Sequence, residues 1–187
     1  MTAIAPQRIT AEQFLAMPAP ADGRRRELIE GEVVVLTQPK PLHQLALLNL
    51  VFAIKGWTAA APDRGFVTLP IDTGVDQWNV LAPDLQWYAA DRELPPLERG
   101  PWPLGDLVVE VRSPSTWARD VGVKRQVYER SGAAELWLVD PPSASVLALR
   151  RSGDGTAFDP PVAIGGDQPL TSPLLPGFAV AASALFR

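Results

Sequence analysis

Two acidic residues, Asp84 and Glu110, stand inside apolar runs that are typical of buried β-strands. Asp84 follows Pro83 in residues 81–85 (LAPDL), and Glu110 lies within residues 107–111 (LVVEV). An ionised carboxylate on a half-buried sheet face is costly unless it is paired or binds a metal. Two such carboxylates on neighbouring strands would suit a hard cation such as Mg²⁺, which takes oxygen ligands and keeps several waters. The pattern therefore indicates a metal site, with solvent-facing acids or acids paired with arginine as the alternative.

A lysine and a tyrosine follow Glu110 on the next predicted helix. Lys124 and Tyr128 are four residues apart and therefore share one helix face. A lysine beside a metal-bound phosphate would orient or deprotonate the attacking water and offset charge in the transition state. The alternative is that Lys124 and Arg125 form a solvated helix surface.

Two residues nearer the N-terminus complete the set of candidates. Glu27, just before the first predicted strand, would supply a third carboxylate, or else pair with Arg24 or Arg26. His43, in the first turn of a predicted helix, would contact substrate or act as a polar cap. Both residues are therefore candidates with a structural alternative.

The elements that must position these residues follow from capping, periodicity and turn signals. Residues 10–13 form a capping box for a short helix that Pro18 and Pro20 end. The spacing predicts a hairpin over residues 27–36, helices over 42–57 and 117–131, a loop over 91–105, and strands over 66–71, 80–88, 106–112, 135–140, 145–150 and about 178–181. We expect an α/β or α+β fold with a mixed central sheet flanked by helices.

Length and composition bound the possible functions. The 187 residues predict one domain, 1–187, at about 150 residues per domain. The absence of cysteine excludes disulfides, thiolate zinc sites and cysteine nucleophiles, and the single histidine excludes a multi-histidine metal site within one chain. No signal peptide or long apolar span is found, so a cytoplasmic protein without membrane attachment is expected.

The overall charge bears on a nucleic-acid role. With a net charge of −4, the chain is not a basic protein that coats nucleic acid. Binding to DNA would depend on metal ions or on a local patch built from Arg24, Arg25, Arg26, Arg112, Arg119, Lys124 and Arg125.

These motifs together resemble the Uma-type restriction endonuclease family, a branch of the PD-(D/E)xK nuclease superfamily. The resemblance runs from about residue 8 to residue 150 and includes His43 at the start of a helix and Lys124 with Tyr128. Its other segments are residues 9–15 (ITAEQFL), 27–32 (ELIEGE), 82–85 (APDL), 109–116 (VEVRSPST) and 135–140 (ELWLVD).

The resemblance implies a restriction-endonuclease-like fold and a DNA endonuclease that uses Mg²⁺, or Mn²⁺ in its place. On that analogy Asp84 and Glu110 bind the metal with the backbone carbonyl of Val111, and Glu27 contacts it through water. Catalysis would rest on Asp84, Glu110, Glu27 and Lys124. Arg112, His43 and Tyr128 would contact substrate.

One departure from the superfamily pattern concerns the lysine. The strict motif has lysine two residues after the second acid, where this chain has Arg112. Because arginine stays protonated, Arg112 could stabilise charge but could not act as a base. Lys124 on the following helix is the alternative. An inactive nuclease fold that serves as a binding module is the second functional hypothesis, and a homodimer is expected because two sites would cut both strands of a duplex.

Overall fold

The structure, a computed structural model, describes residues 8–153 and 155–187. The helices are α1 (Ala11–Leu15), α2 (Pro41–Ala59), α3 (Trp117–Arg119) and α4 (Arg125–Arg130), and a π-helical turn, Asp120–Lys124, joins α3 to α4. Short 3₁₀ helices are Pro62–Arg64, Pro141–Ser143 and Ala182–Phe186. The strands are β1 (Arg26–Ile29), β2 (Glu32–Val35), β3 (Phe66–Thr68), β4 (Thr73–Asp76), β5 (Asn79–Leu81), β6 (Leu85–Tyr88), β7 (Leu107–Val111), β8 (Glu135–Asp140), β9 (Ser145–Arg150), β10 (Val162–Gly165), β11 (Pro169–Leu170) and β12 (Val180–Ala181).

A six-stranded mixed sheet forms the centre of the fold, in the order β10-β9-β8-β7-β6-β3. Strands β7 and β8 are parallel, and the segment from α3 to α4 connects the end of β7 to the start of β8. The pairs β6–β7 and β8–β9 are antiparallel. The expected mixed sheet flanked by helices is therefore confirmed. A second, four-stranded sheet has the order β2-β1-β5-β4.

The two faces of the large sheet are covered by different helices. Side chains alternate along a strand, so Val108 and Val109 of β7 face opposite sides of the sheet. Val109 packs in the same hydrophobic cluster as Leu50 of α2. Val108 points the other way and packs in a cluster with Val127 and Tyr128 of α4. Glu110 shares the face of Val108, which is why it lies under α4.

Local signals at the N-terminus work as the sequence predicts. The Thr10 hydroxyl accepts from the Gln13 backbone N–H, and the Gln13 side chain accepts from the Thr10 N–H, which completes the capping box of α1. Strands β1 and β2 form the expected antiparallel hairpin, with Glu30 and Gly31 at positive φ in its turn. The helix expected over 42–57 extends from Pro41 to Ala59. No helix within the described residues is both long and apolar enough to cross a bilayer.

The continuous strand predicted over residues 80–88 is wrong. The chain forms β5 and β6 instead, and these strands belong to different sheets. Pro83 lies between them, and it has no N–H for a strand ladder and a fixed φ. The residues from Ala82 to Asp84 therefore form a corner that joins the two sheets.

Three other parts of the chain also differ from the prediction. Strand β3 ends at Thr68, and the connection that follows contains β4. The helix expected over 117–131 is divided by the π-helical turn. The C-terminal part contains β10 and β11 in addition to the strand expected near residue 180. Strands β4, β10 and β11 have only two to four residues and no alternation of apolar and polar side chains, so the sequence does not show them.

Candidate active site

A cavity of about 340 Å³ opens where the two sheets meet beside α2. Its walls come from the chain before and within β1, from α2, from the corner at Ala82–Asp84, from the end of β7 and from the π-helical turn. The ionisable residues on its walls are Arg25, Glu27, His43, Asp84, Glu110, Asp120 and Lys124. The cavity therefore brings together residues that are far apart in the sequence.

Asp84 is held at the corner by a backbone hydrogen bond. Its Oδ2 accepts the N–H of Val111 at 2.7 Å, so the last residue of β7 fixes the carboxylate. Its Oδ1 lies 3.4 Å from Nε2 of His43. The corner created by Pro83 thus turns Asp84 towards the end of β7, where Glu110 and Val111 are.

Glu110 is almost fully buried, and its carboxylate contacts two side chains from the following helical segment. Lys124 Nζ lies 2.6 Å from its Oε1, and the Tyr128 hydroxyl donates a short hydrogen bond to the same oxygen. Burial raises the pKa of Glu110 well above its usual range, although the Lys124 ammonium opposes the shift.

Lys124 is the central cation of the cavity. Its ammonium also donates to Glu27 Oε1 at 2.9 Å and lies 3.6 Å from Asp120 Oδ1. Burial lowers the pKa of Lys124, but the carboxylates of Glu110 and Glu27 outweigh that effect and raise it well above its usual value. The ammonium is therefore protonated at neutral pH.

Glu27 links the lysine to the corner. Its Oε1 accepts the backbone N–H of Ala82 at 2.8 Å in addition to the Lys124 N–H. A single buried carboxylate oxygen therefore holds both the chain two residues before Asp84 and the ammonium. Glu27 pairs with Lys124, and not with Arg24 or Arg26.

His43 lies on α2 at the edge of the cavity and is nearly buried. Burial lowers its pKa, but the hydrogen bond and charge of Asp84 raise it above the usual value overall. Its Nδ1 is buried without a hydrogen-bond partner in the described part of the chain. The side chain thus faces Asp84 as a partner, and it is more than a polar cap of the helix.

Two of the expected substrate-contacting residues do not line the cavity. Arg112 donates two hydrogen bonds to Asp140, at 3.0 and 2.9 Å, and its guanidinium lies 5.4 Å from the centre of the Trp117 ring. Tyr128 is fully buried behind Glu110. The geometry therefore brings Lys124, and not Arg112, to the carboxylates, while Tyr128 reaches the cavity only through Glu110.

The donor atoms of the cavity fit one hard divalent cation. Asp84 uses Oδ2 for Val111 and directs Oδ1 towards His43 at 3.4 Å. Glu110 uses Oε1 for Lys124 and Tyr128, and its Oε2 accepts no hydrogen bond from the described residues. Val111 also lines the cavity. Within residues 8–153 and 155–187 no three His, Cys, Asp or Glu side chains form a complete metal cage. Two carboxylates with water are nevertheless a typical Mg²⁺ environment.

Asp120 was not among the residues singled out from the sequence. It is 1% exposed, and its Oδ2 accepts from the Thr116 hydroxyl at 2.8 Å while Oδ1 has no hydrogen-bond partner within the described residues. Its position four residues before Lys124 on the same predicted helix face was the signal that could have identified it.

Comparison with known proteins agrees with this architecture. A crystal structure from Anabaena variabilis, described as that of a putative nuclease belonging to DUF820, superposes with a TM-score of 0.77 at 18% identity, covering 95% of this chain and 97% of the other. That likeness establishes a shared fold. The sequence model of the Uma2 family, described as "Putative restriction endonuclease", matches residues 11–183. The chain belongs to this family. None of the curated proteins matches it.

Proposed function

We propose that this protein is a metal-dependent endonuclease that hydrolyses phosphodiester bonds of DNA. The convergence of Asp84, Glu110 and Lys124 on one cavity is the observation that carries the proposal. These residues come from a corner, a strand and a helical turn, so the fold brings charges that are far apart in the sequence to the same space. Membership of the Uma2 family supports the same reaction class.

Asp84 and Glu110 would hold Mg²⁺ or Mn²⁺, with the carbonyl of Val111 as a third ligand. A bound Mg²⁺ supplies Lewis-acid polarisation of a phosphoryl oxygen and a water of lowered pKa. The Val111 N–H fixes the direction of the Asp84 carboxylate, and Tyr128 and Lys124 fix that of Glu110. Tyr128 is thus a positioning residue in this proposal.

Lys124 would stabilise negative charge and would not act as a base. Its raised pKa keeps the ammonium protonated, and a cation in a largely buried site is well placed to offset charge that develops on a phosphate. Glu27 would be a positioning residue, because its carboxylate contacts both the Lys124 ammonium and the backbone of Ala82 in the corner that carries Asp84. His43 would orient Asp84 through the contact at 3.4 Å.

Cleavage of a supercoiled plasmid in Mg²⁺ or Mn²⁺ tests this function. We expect Asp84→Asn and Glu110→Gln to lower the rate by roughly 10²-fold or more, because each removes a charge that the reaction needs. Asp91→Asn and Glu93→Gln make the same changes at exposed positions and should leave the rate unaltered. Equal rates for the Asp84 and Asp91 variants would contradict the proposal.

A nuclease fold that only binds a partner is the second candidate. It is favoured by the contact at 2.6 Å between Lys124 and Glu110, since an internal cation already balances that carboxylate. Calorimetric titration with Mn²⁺ separates the two. An endonuclease should bind Mn²⁺, and Asp84→Ala and Glu110→Ala should abolish binding without changing the circular dichroism spectrum. A binding module should take up no metal.

A further inference from the structure

The walls of the cavity carry more negative than positive charge. Its acids are Glu27, Asp84, Glu110 and Asp120, and its cations other than the histidine are Arg25 and Lys124. Lys124 is already engaged by Glu27 and Glu110. Beside the proposed metal and Lys124, a phosphate that approaches these acidic walls would be favoured by a further cation that is not paired with a carboxylate.

Arg25 is such a cation. Its Nη2 makes one long hydrogen bond, 3.3 Å, to the carbonyl of Ala82, and no carboxylate of the described residues lies within ion-pair distance of it. A guanidinium carries five N–H donors in a planar fork that matches two oxygens of a phosphate. The other N–H donors make no hydrogen bond within the described residues, and the Arg25 side chain lines the cavity. The bond to Ala82 ties the guanidinium to the corner that carries Asp84.

The strand geometry explains why Arg25, and not its neighbours, faces the cavity. Side chains alternate along an extended chain, so Arg25 points to the same side as Glu27. The backbone carbonyl of Arg25 accepts from Leu36, which continues the hairpin pairing past β1. Arg24 instead pairs with Asp22 at 2.6 Å, and Arg26 donates to the carbonyl of Pro18 at 2.8 Å.

We propose that Arg25 binds a backbone phosphate of the nucleic acid beside the Asp84–Glu110 pair. This inference rests on the proposed endonuclease function and adds a phosphate subsite to it. Of the three consecutive arginines, one contacts substrate and two have local structural partners. The substrate class is a polyanion whose phosphate reaches the rim of the cavity, and the contact contributes affinity and register but no base specificity.

The salt dependence of DNA binding tests the proposal. We would measure the affinity of a fluorescent duplex by anisotropy over a range of KCl concentrations, with Ca²⁺ in place of Mg²⁺. The logarithm of the association constant falls linearly with the logarithm of the salt concentration, and each phosphate contact makes this slope steeper by about 0.9. We expect Arg25→Gln to reduce the slope by about one and the affinity roughly tenfold, in line with the loss of one phosphate contact.

Arg24→Gln is the matched control, because it removes the same charge one residue away from a side chain paired with Asp22. It should leave the slope unchanged. Arg25→Lys should restore the slope but only part of the affinity, since lysine keeps the charge and loses the fork. All variants should unfold at the temperature of the unaltered protein, because Arg25 is exposed.

The outcomes separate this inference from the proposed function. If the unaltered protein binds and cleaves DNA while Arg25→Gln and Arg24→Gln change the slope equally, the phosphate subsite is wrong and the endonuclease function stands. If the unaltered protein neither binds nor cleaves DNA, the proposed function fails and the subsite fails with it.

Discussion

At the scale of single residues, the cavity depends on one ammonium that balances several carboxylates. Lys124 is 4% exposed and lies within 3 Å of both Glu27 and Glu110. Removing one partner of a buried ion pair leaves an uncompensated charge, which costs far more than the pair itself contributes. The ammonium is therefore a structural element as well as a proposed catalytic one.

Lys124→Met should destabilise the fold by about 3–5 kcal/mol, because Glu27 and Glu110 would remain buried without a cation. Urea unfolding in the presence of EDTA measures this cost without metal. Lys55→Met removes an exposed lysine of α2 and should change the free energy of unfolding by less than about 0.5 kcal/mol. Equal stability of the two variants would mean that the carboxylates do not depend on Lys124.

Asp120 should make stability depend on pH. Burial raises its pKa above the ordinary value of 3.8, so the folded protein holds the proton more tightly than the unfolded chain does. The contribution of Asp120 to stability is therefore full below about 3.8 and is lost as the pH rises through the raised pKa.

Asp120→Asn removes that loss. The melting temperature of this variant minus that of the unaltered protein should rise as the pH is increased from about 4 to about 7. This interval begins near the pKa of Asp120 in the unfolded chain. Asp167→Asn, at a highly exposed carboxylate, should show no such trend. A constant difference across the pH range would show that Asp120 is not destabilised by burial.

The sequence predicts much of the site because acids inside apolar strands are unusual. Asp84, Glu110, Glu27, His43 and Lys124 all line the cavity. Arg112 could not be assigned from the sequence, because its direction is decided by Asp140, which lies on a different strand. Three consecutive arginines likewise look equivalent until the hairpin register separates them.

At the scale of elements, the turn before β3 requires glycine. Gly65 has φ of +66°, and a Cβ there would lie 1.9 Å from the backbone carbonyl oxygen of Tyr88 on β6. This close approach brings the end of the 3₁₀ helix Pro62–Arg64 against the sheet. A larger residue would push β3 away from its partner strand.

Gly65→Ala should therefore lower the free energy of unfolding by more than about 3 kcal/mol, because strain and a backbone clash act together. Gly132→Ala provides the comparison, since Gly132 also has positive φ but has open space around the Cβ position. It should cost only about 1–2 kcal/mol. Chemical denaturation of both variants isolates the contribution of the clash.

The elements were predictable where a local signal decides the conformation. The capping box of α1 and the long apolar repeat of α2 are such signals, and both helices form as expected. The apolar neighbours of Pro83 predict a continuous strand through it. The break at Pro83 depends on which sheet each half joins, and such long-range pairing leaves no periodicity in the sequence.

At the scale of the whole molecule, each chain has one cavity with the Asp84–Glu110 pair. One such site would cut one strand at a time, so a double-strand break needs two sites. We expect two copies to act together. The rate of plasmid linearisation should then rise more steeply with protein concentration than the rate of nicking does. Parallel dependence of the two rates on concentration would contradict cooperation between copies.

The joining of distant segments in one cavity has a consequence during biosynthesis. Lys124 and Glu27 are 97 residues apart, and Asp84 and Val111 are 27 apart. A nascent chain on the ribosome cannot form the contact between Lys124 and Glu27 until Lys124 has left the exit tunnel. The proposed nuclease centre is thus absent from translation products that end before Lys124, and it forms only when the two sheets that meet at Pro83 are both in place.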